Sequence, residues 1–318
     1  MMAFIFPGQG SQKVGMGADL AAASKHARDV FDEVDEALSL KLSAIMRTGP
    51  EDQLLLTENA QPAIMANAIA TLRVLEREFG VKLADRAGCV AGHSLGEYTA
   101  LCAVGGFSLA DTARLLKLRG AAMQAAVPVG VGAMAALLGA DIDKAIALAQ
   151  AAAQAPLAGG QKAVCEVAND NDPTQVVISG HLEAIERAIE LAKDHGIKRG
   201  IRLPVSAPFH CSLMQPAAER MAQALADTPP GALSVPLYAN VTAARVIDPA
   251  EARDLLVQQV TARVRWRESV LAMVAGGVEH FVELGGKVLG PMVARTSPDA
   301  RTTSLVTMAD LEAFAKEN

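Results

Sequence analysis

Aromatic residues are scarce in this chain, at 3% of 318 positions. A core with so few rings must be filled by small aliphatic side chains, which suits helices laid closely on a sheet. Long apolar runs are missing too, and no stretch reaches the roughly 20 residues of a membrane-spanning helix, so no membrane role is expected. Positive charge is not in excess. The formal net charge of −6 argues against bulk attraction to nucleic acid or to an anionic membrane surface. The four cysteines, Cys89, Cys102, Cys165 and Cys211, include no C-x-x-C pair, and none stands with histidines at zinc-finger spacing. Free thiols in a reducing cytoplasm are therefore expected, with no metal site and no redox pair. The opening Met1-Met2-Ala3-Phe4-Ile5-Phe6-Pro7 lacks the basic and long apolar segments of a signal peptide and reads as a first strand. The loop after it, Pro7-Gly8-Gln9-Gly10-Ser11-Gln12, is not G-x-G-x-x-G, since Lys13 stands at the third glycine's place, and no Gly-Lys-Ser/Thr follows to make a Walker loop. A nucleotide cofactor is accordingly not expected.

What is present is a G-x-S-x-G pentapeptide, Gly92-His93-Ser94-Leu95-Gly96. The apolar run Cys89-Val90-Ala91 leads into it, and Glu97-Tyr98-Thr99-Ala100-Leu101-Cys102-Ala103 follows with helical character. Strand, tight turn and helix with a serine at the tip form a nucleophile elbow, which lifts a hydroxyl off the sheet and aims the first free N–H groups of the new helix at whatever bonds to it. Acyl transfer through a covalent intermediate is the chemistry this predicts.

Hydrophobic residues make up 51% of the chain, enough for one large domain or two unequal ones. Helical periodicity dominates through residue 79, with breaks at Gly49-Pro50 and Gln61-Pro62. A helix is predicted from Leu109 to Ala126. Beyond Pro128-Val129-Gly130-Val131-Gly132 the pattern reads as a strand over Ala133–Leu138, a helix over Asp141–Ala153 and a strand over Ala163–Val167. A turn at Asn169-Asp170-Asn171-Asp172-Pro173 leads to a strand over Gln175–Ser179, a helix over Leu182–Asp194 and a strand over Arg199–Pro204. That β-α-β-β-α-β order is the ferredoxin-like split unit. It is read as a small domain, 128–204, inserted into a larger discontinuous one of residues 1–127 and 205–318, whose second part has strands at Val235–Ala239 and His280–Leu284.

Serine needs a base within hydrogen-bond reach, usually histidine. His93 adjoins Ser94 and should point away from it. His26 lies in a polar stretch, and His181 and His195 sit at helix ends with capping roles open to them. His210, in Pro204-Val205-Ser206-Ala207-Pro208-Phe209-His210-Cys211, follows a strand at the domain junction, where active-site groups gather. It is favoured over His280, which could be structural. No acid is marked to orient it, although Asp248 and Glu283 are possible. Arg119 falls inside the apolar arc formed by Leu109, Ala113, Leu116 and Met123, so it needs an anion, either an internal carboxylate or a substrate's.

Three separated motifs, Phe6-Pro7-Gly8-Gln9-Gly10-Ser11-Gln12, Gly92-His93-Ser94-Leu95-Gly96-Glu97-Tyr98 and Phe209-His210-Cys211, together resemble malonyl-CoA:acyl carrier protein transacylases. The resemblance extends to Arg119-Gly120, Met123-Gln124, Gln175–Gly180 and Gly277–His280, and covers essentially the whole chain. It implies an α/β-hydrolase-like large domain carrying a ferredoxin-like insertion, in agreement with the pattern above. It further implies Ser94 as nucleophile, His210 as base, and the Gln9 and Leu95 backbone N–H groups as oxyanion hole. Gln259 would orient the histidine through its carbonyl, Arg119 would grip the malonate carboxylate, and Gln61 would line the pocket. Phe209 is expected to crowd the carbon next to the thioester and disfavour methylmalonyl. The chain departs from the family where Ala262-Arg263-Val264-Arg265-Trp266 replaces Asn-Pro-Val-x-Trp and where Gly285-Gly286-Lys287 is one residue short of Gly-x-Gly-Lys.

The implied activity is transfer of malonyl from malonyl-CoA to acyl carrier protein without metal or cofactor. The rival readings are a serine hydrolase, in which water replaces the thiol, and a docking module without chemistry. Lys193, Lys198 and Arg199, or Arg263, Arg265 and Arg267, are the basic clusters that could meet an acidic carrier protein.

Overall fold

The computed structural model describes residues 1–205 and 207–317. Its ten strands are β1 (Met2–Phe6), β2 (Ala87–Gly92), β3 (Gly132–Leu138), β4 (Cys165–Asp172), β5 (Gln175–His181), β6 (Arg199–Arg202), β7 (Leu237–Ala239), β8 (Ala244–Val246), β9 (His280–Leu284) and β10 (Arg301–Leu305). Six form a sheet in the order β10-β9-β1-β2-β7-β8, parallel except for the last pair. Side chains alternate across it. Phe4, Phe6 and Val90 enter one core, and Ala3, Ile5, Cys89 and Ala91 enter another on the opposite face. A parallel sheet buried on both sides reads as near-continuous apolar runs, as these strands do.

The other four strands form an antiparallel sheet, β4-β5-β3-β6. Here β3 pairs with both β5 and β6, the ferredoxin-like arrangement expected from the sequence. Ala133, Ala135 and Leu137 pack with the helices Ile142–Gln154 and Leu182–Leu191. Met134, Ala136 and Val177 face the main core instead. The small sheet thus closes over the large one.

Two sequence expectations need correcting. The segment Asn169–Asp172 is not a turn but the end of β4, and the turn is Pro173-Thr174. Its polar side chains are held extended by partners: Asp170 pairs with Arg267, Asp172 with Arg295, and Asn171 with His93. Nor does Gln61-Pro62 break the chain. The helix Thr57–Glu78 runs through it, buried continuously from Asn59 to Leu72, so tertiary packing overrides the proline.

At the carboxyl edge of the large sheet Phe6 lies beside Gly92. The loop after β1 and the elbow after β2 therefore emerge together, where open α/β sheets bind ligands. The elbow glycines are required there. A Cβ at Gly92 would lie 1.9 Å from the Gly96 carbonyl, and one at Gly96 2.2 Å from the Phe6 carbonyl oxygen. Both obstacles are backbone and cannot yield. Gly96→Ala should cost about 3 kcal/mol or more by thermal or urea unfolding. Gly231→Ala, where a Cβ meets nothing closer than 3.8 Å, should be close to neutral. Equal effects would contradict this account of the elbow.

Candidate active site

Ser94 sits at φ +54°, a left-handed conformation that costs an L-residue on the order of 1 kcal/mol or more and persists only where its surroundings hold it. They do so from both sides. The Ser94 N–H donates to Asn240 Oδ1 at 2.8 Å, and its carbonyl accepts from Gln259 Nε2 at 3.1 Å. Asn240 directly follows β7, the neighbour of β2, and its Nδ2 donates to the Gly92 carbonyl at 2.7 Å.

His210 stands with Nε2 at 2.7 Å from Ser94 Oγ. It too has positive φ, +57°. Its Nδ1 is 2.9 Å from the backbone carbonyl of Gln259, which fixes the tautomer: Nδ1 donates to the carbonyl and Nε2 is free to accept the serine proton. Burial, reinforced by the Arg119 cation, pushes its pKa down to about 3, so the imidazole is neutral and ready as a base. The acids weighed for its orientation lie elsewhere. Asp248 caps the helix Pro249–Gln259, and Glu283 accepts the N–H groups of Val288, Leu289 and Gly290. Three of the other histidines have separate partners: His93 with Asn171, His280 with Thr303, and His181 with the Val164 N–H. Burial pushes the Cys211 thiol up to about 12, so it is no rival nucleophile.

Arg119 comes from the helix Leu109–Ala125, which begins at the capping Ser108. Gly120 lets this helix approach Thr57–Glu78 closely, since a Cβ there would lie 2.5 Å from Glu58 Cα. That approach brings Arg119 against Gln61. The guanidinium is 1% exposed. Nη1 donates to Gln61 Oε1 at 2.9 Å, and Nη2 donates to Gln259 Oε1 at 2.9 Å and to Ser94 Oγ at 3.1 Å. The Tyr98 ring lies 5.6 Å away. Among the described residues Arg119 makes no ion pair, and its Nε–H has no partner. The internal carboxylate that would have made it a structural salt bridge is not in contact with it.

The Gln9 and Leu95 backbone N–H groups make no hydrogen bond within the described chain. Both residues line a cleft of about 410 Å³ with Gln61, Ser94, Arg119, Phe209 and His210. Met134 and Leu203 of the small-sheet region form part of its wall. Serine, neutral imidazole, two free N–H groups and a buried cation in one cleft can perform acyl transfer onto and off Ser94. Two residues of this network carried no expectation from the sequence. Asn240 had no local signal beyond following a strand. Glu97 had one: a carboxylate in the first turn of an otherwise uncharged helix. It is fully buried, and accepts from the Asn240 N–H and from Gln259 Nε2, each at 2.9 Å. Burial raises its pKa to about 7, opposed by these two donors and by Arg119.

The class of protein is an acyl transferase: the acyl transferase domain family matches residues 3–294. The malonyl CoA-acyl carrier protein transacylase of Escherichia coli (strain K12) is 45% identical over 294 residues, 92% of each chain. A crystal structure of acyl-carrier-protein-S-malonyltransferase from Bartonella henselae is 49% identical, covers 99% of this chain and 98% of its own, and superposes with a TM-score of 0.94. A malonyl-transacylase solved in complex with a type II PKS acyl-carrier protein is 37% identical, covers 100% and 99%, and has a TM-score of 0.93. The chain belongs to the malonyl CoA-acyl carrier protein transacylase family.

The low His210 pKa predicts the pH response of Ser94 reactivity. A lowered pKa keeps the base neutral further into acid, so sulfonylation of Ser94 by phenylmethylsulfonyl fluoride, which carries no charge, should stay level from about pH 8 down to about pH 5. An acid limb centred near the ordinary histidine value of about 6.5 would contradict it.

Proposed function

We propose that this chain transfers the malonyl group of malonyl-CoA to the pantetheine thiol of acyl carrier protein, by a ping-pong route through a malonyl-Ser94 ester, and so supplies fatty-acid chain elongation. One observation carries the reading: a buried guanidinium, with no carboxylate against it, donates to the nucleophile's own oxygen. A malonyl group is short. Once it is esterified to Ser94 its free carboxylate can be gripped only by a cation beside that serine.

The geometry supports a defined order of steps. His210 Nε2 takes the Ser94 proton as Oγ attacks the thioester carbonyl carbon. The oxyanion is held by the Gln9 and Leu95 N–H groups, each worth about 3–4 kcal/mol in such sites. The C–S bond breaks, and coenzyme A leaves with the proton from His210. The carrier's thiol then gives its proton to His210 and attacks the ester, and Ser94 leaves with that proton. Acetyl has no carboxylate, so its binding would leave Arg119 without an anion, at a cost on the order of 3 kcal/mol. Phe209, on the cleft wall, disfavours a methyl branch at the carbon next to the thioester.

Residues 1–127 and 205–318 are taken as the catalytic domain and 128–204 as its insertion; the confinement of the four-stranded sheet to 132–202 supports this division. Among the described residues no helix is long and apolar enough to cross a membrane. The four cysteines are free thiols, which supports a cytoplasmic setting. For carrier docking, Arg263 and Arg265 are occupied by Glu268, and Arg267 by Asp170. Lys193, Lys198 and Arg199 make no ion pair within the described chain and are the better candidates for an acidic partner.

Incubation with malonyl-CoA should add about 86 Da to Ser94 by intact mass and peptide mapping. Arg119→Ala should abolish that adduct while Ser94 still reacts with phenylmethylsulfonyl fluoride. Malonyl loading that survives the substitution would favour a general serine hydrolase. Charge reversal at Lys193 and Lys198 should weaken transfer to carrier protein but not to free pantetheine; an equal loss for both acceptors would remove the docking role.

A further inference from the structure

Resting on the acyl-transfer reading above, we infer that Glu97 is a positioning residue for substrate choice: its carboxylate fixes which way the Gln259 carboxamide faces, and that amide in turn holds Arg119 for the acyl group's free carboxylate. Which end of a buried amide faces which neighbour is decided by its hydrogen-bond network. Gln259 is fully buried, and three acceptors surround its Nε2: Glu97 Oε2 at 2.9 Å, the Ser94 carbonyl at 3.1 Å and Asn240 Oδ1 at 3.2 Å. Its Oε1 is thereby turned to Arg119 Nη2, 2.9 Å away. The reversed amide would set N–H donors against the guanidinium and an oxygen against three oxygens.

Of the three acceptors only Glu97 is ionisable, so in its carboxylate form it is the strongest determinant of the facing. Glu97 uses only Oε2, and Oε1 has no partner. The carboxamide reaches both Arg119 and the Ser94 carbonyl, but the imidazole is held independently of it. His210 is held by the backbone carbonyl of Gln259, which does not depend on how the carboxamide faces.

That asymmetry gives the test. Glu97→Gln preserves shape and removes the charge. At about pH 8, kcat/KM for malonylation of Ser94 should fall about tenfold or more, while the second-order rate of sulfonylation by phenylmethylsulfonyl fluoride should change by less than about threefold. Equal losses in both would assign Glu97 a structural role only, and no loss in either would remove its role altogether; each overturns the inference. Should Glu97→Gln fail to fold, Glu97→Asp, which keeps the charge but withdraws it from Gln259 Nε2, should show the same split to a smaller degree, and an unchanged ratio would overturn it. Wild-type protein that sulfonylates but never takes up malonyl would instead overturn the functional reading, and this inference with it.

Discussion

Arg119 holds a full positive charge at 1% exposure, and the oxygens that touch it belong to two carboxamides and a hydroxyl. Neutral acceptors orient a guanidinium but do not neutralise it. A cation taken out of water without an anion is costly unless something supplies the missing charge. The fold goes to some length to keep it so. Gly120 allows the close helix approach that seats Arg119, and Gln61 and Gln259 hold its fork from two different helices. The nearest buried acid, Glu97, is kept one residue away behind Gln259. The site is thus built around a charge deficit that an anion entering the cleft would relieve.

The second constraint is backbone strain at Ser94 and His210. Ser94 and His210 both have positive φ, and neither is glycine. Each is held by bonds to residues distant in sequence, Asn240 and Gln259. Gln259 is the common member. Its backbone holds the base, its amide nitrogen holds the elbow, and its amide oxygen holds the cation. Such sharing makes the geometry of Ser94, His210 and Arg119 a single cooperative arrangement.

Much of this was legible in the sequence because it depends on local pattern. The elbow needs glycine on both sides of serine, and the clash distances at Gly92 and Gly96 give the reason. Arg119 betrayed itself by falling within an apolar helical arc. The split β-α-β-β-α-β unit showed in its periodicity, with boundaries displaced by a few residues. The misreadings came where tertiary partners override local propensity. Asn169–Asp172 has the composition of a turn but is held as a strand by two arginines and a histidine. The orienting group of the histidine could not be found by looking for an acid, because it is a backbone carbonyl, identical at every residue. Only the family resemblance pointed to Gln259. Asn240 was silent, and Glu97 showed only as a lone carboxylate in its helix, because their roles exist only once β7 and the helix Pro249–Gln259 are brought to the elbow.

The central claim is that Arg119 is the receptor for the acyl group's free carboxylate. A crystal structure of the malonyl-serine form, trapped with a slow or absent thiol acceptor, tests it most directly. The account predicts the malonyl carboxylate within hydrogen-bond distance of the Arg119 guanidinium, and the ester oxygen facing the Gln9 and Leu95 N–H groups. A carboxylate turned out toward solvent, with Arg119 still bonded only to Gln61 and Gln259, would contradict it.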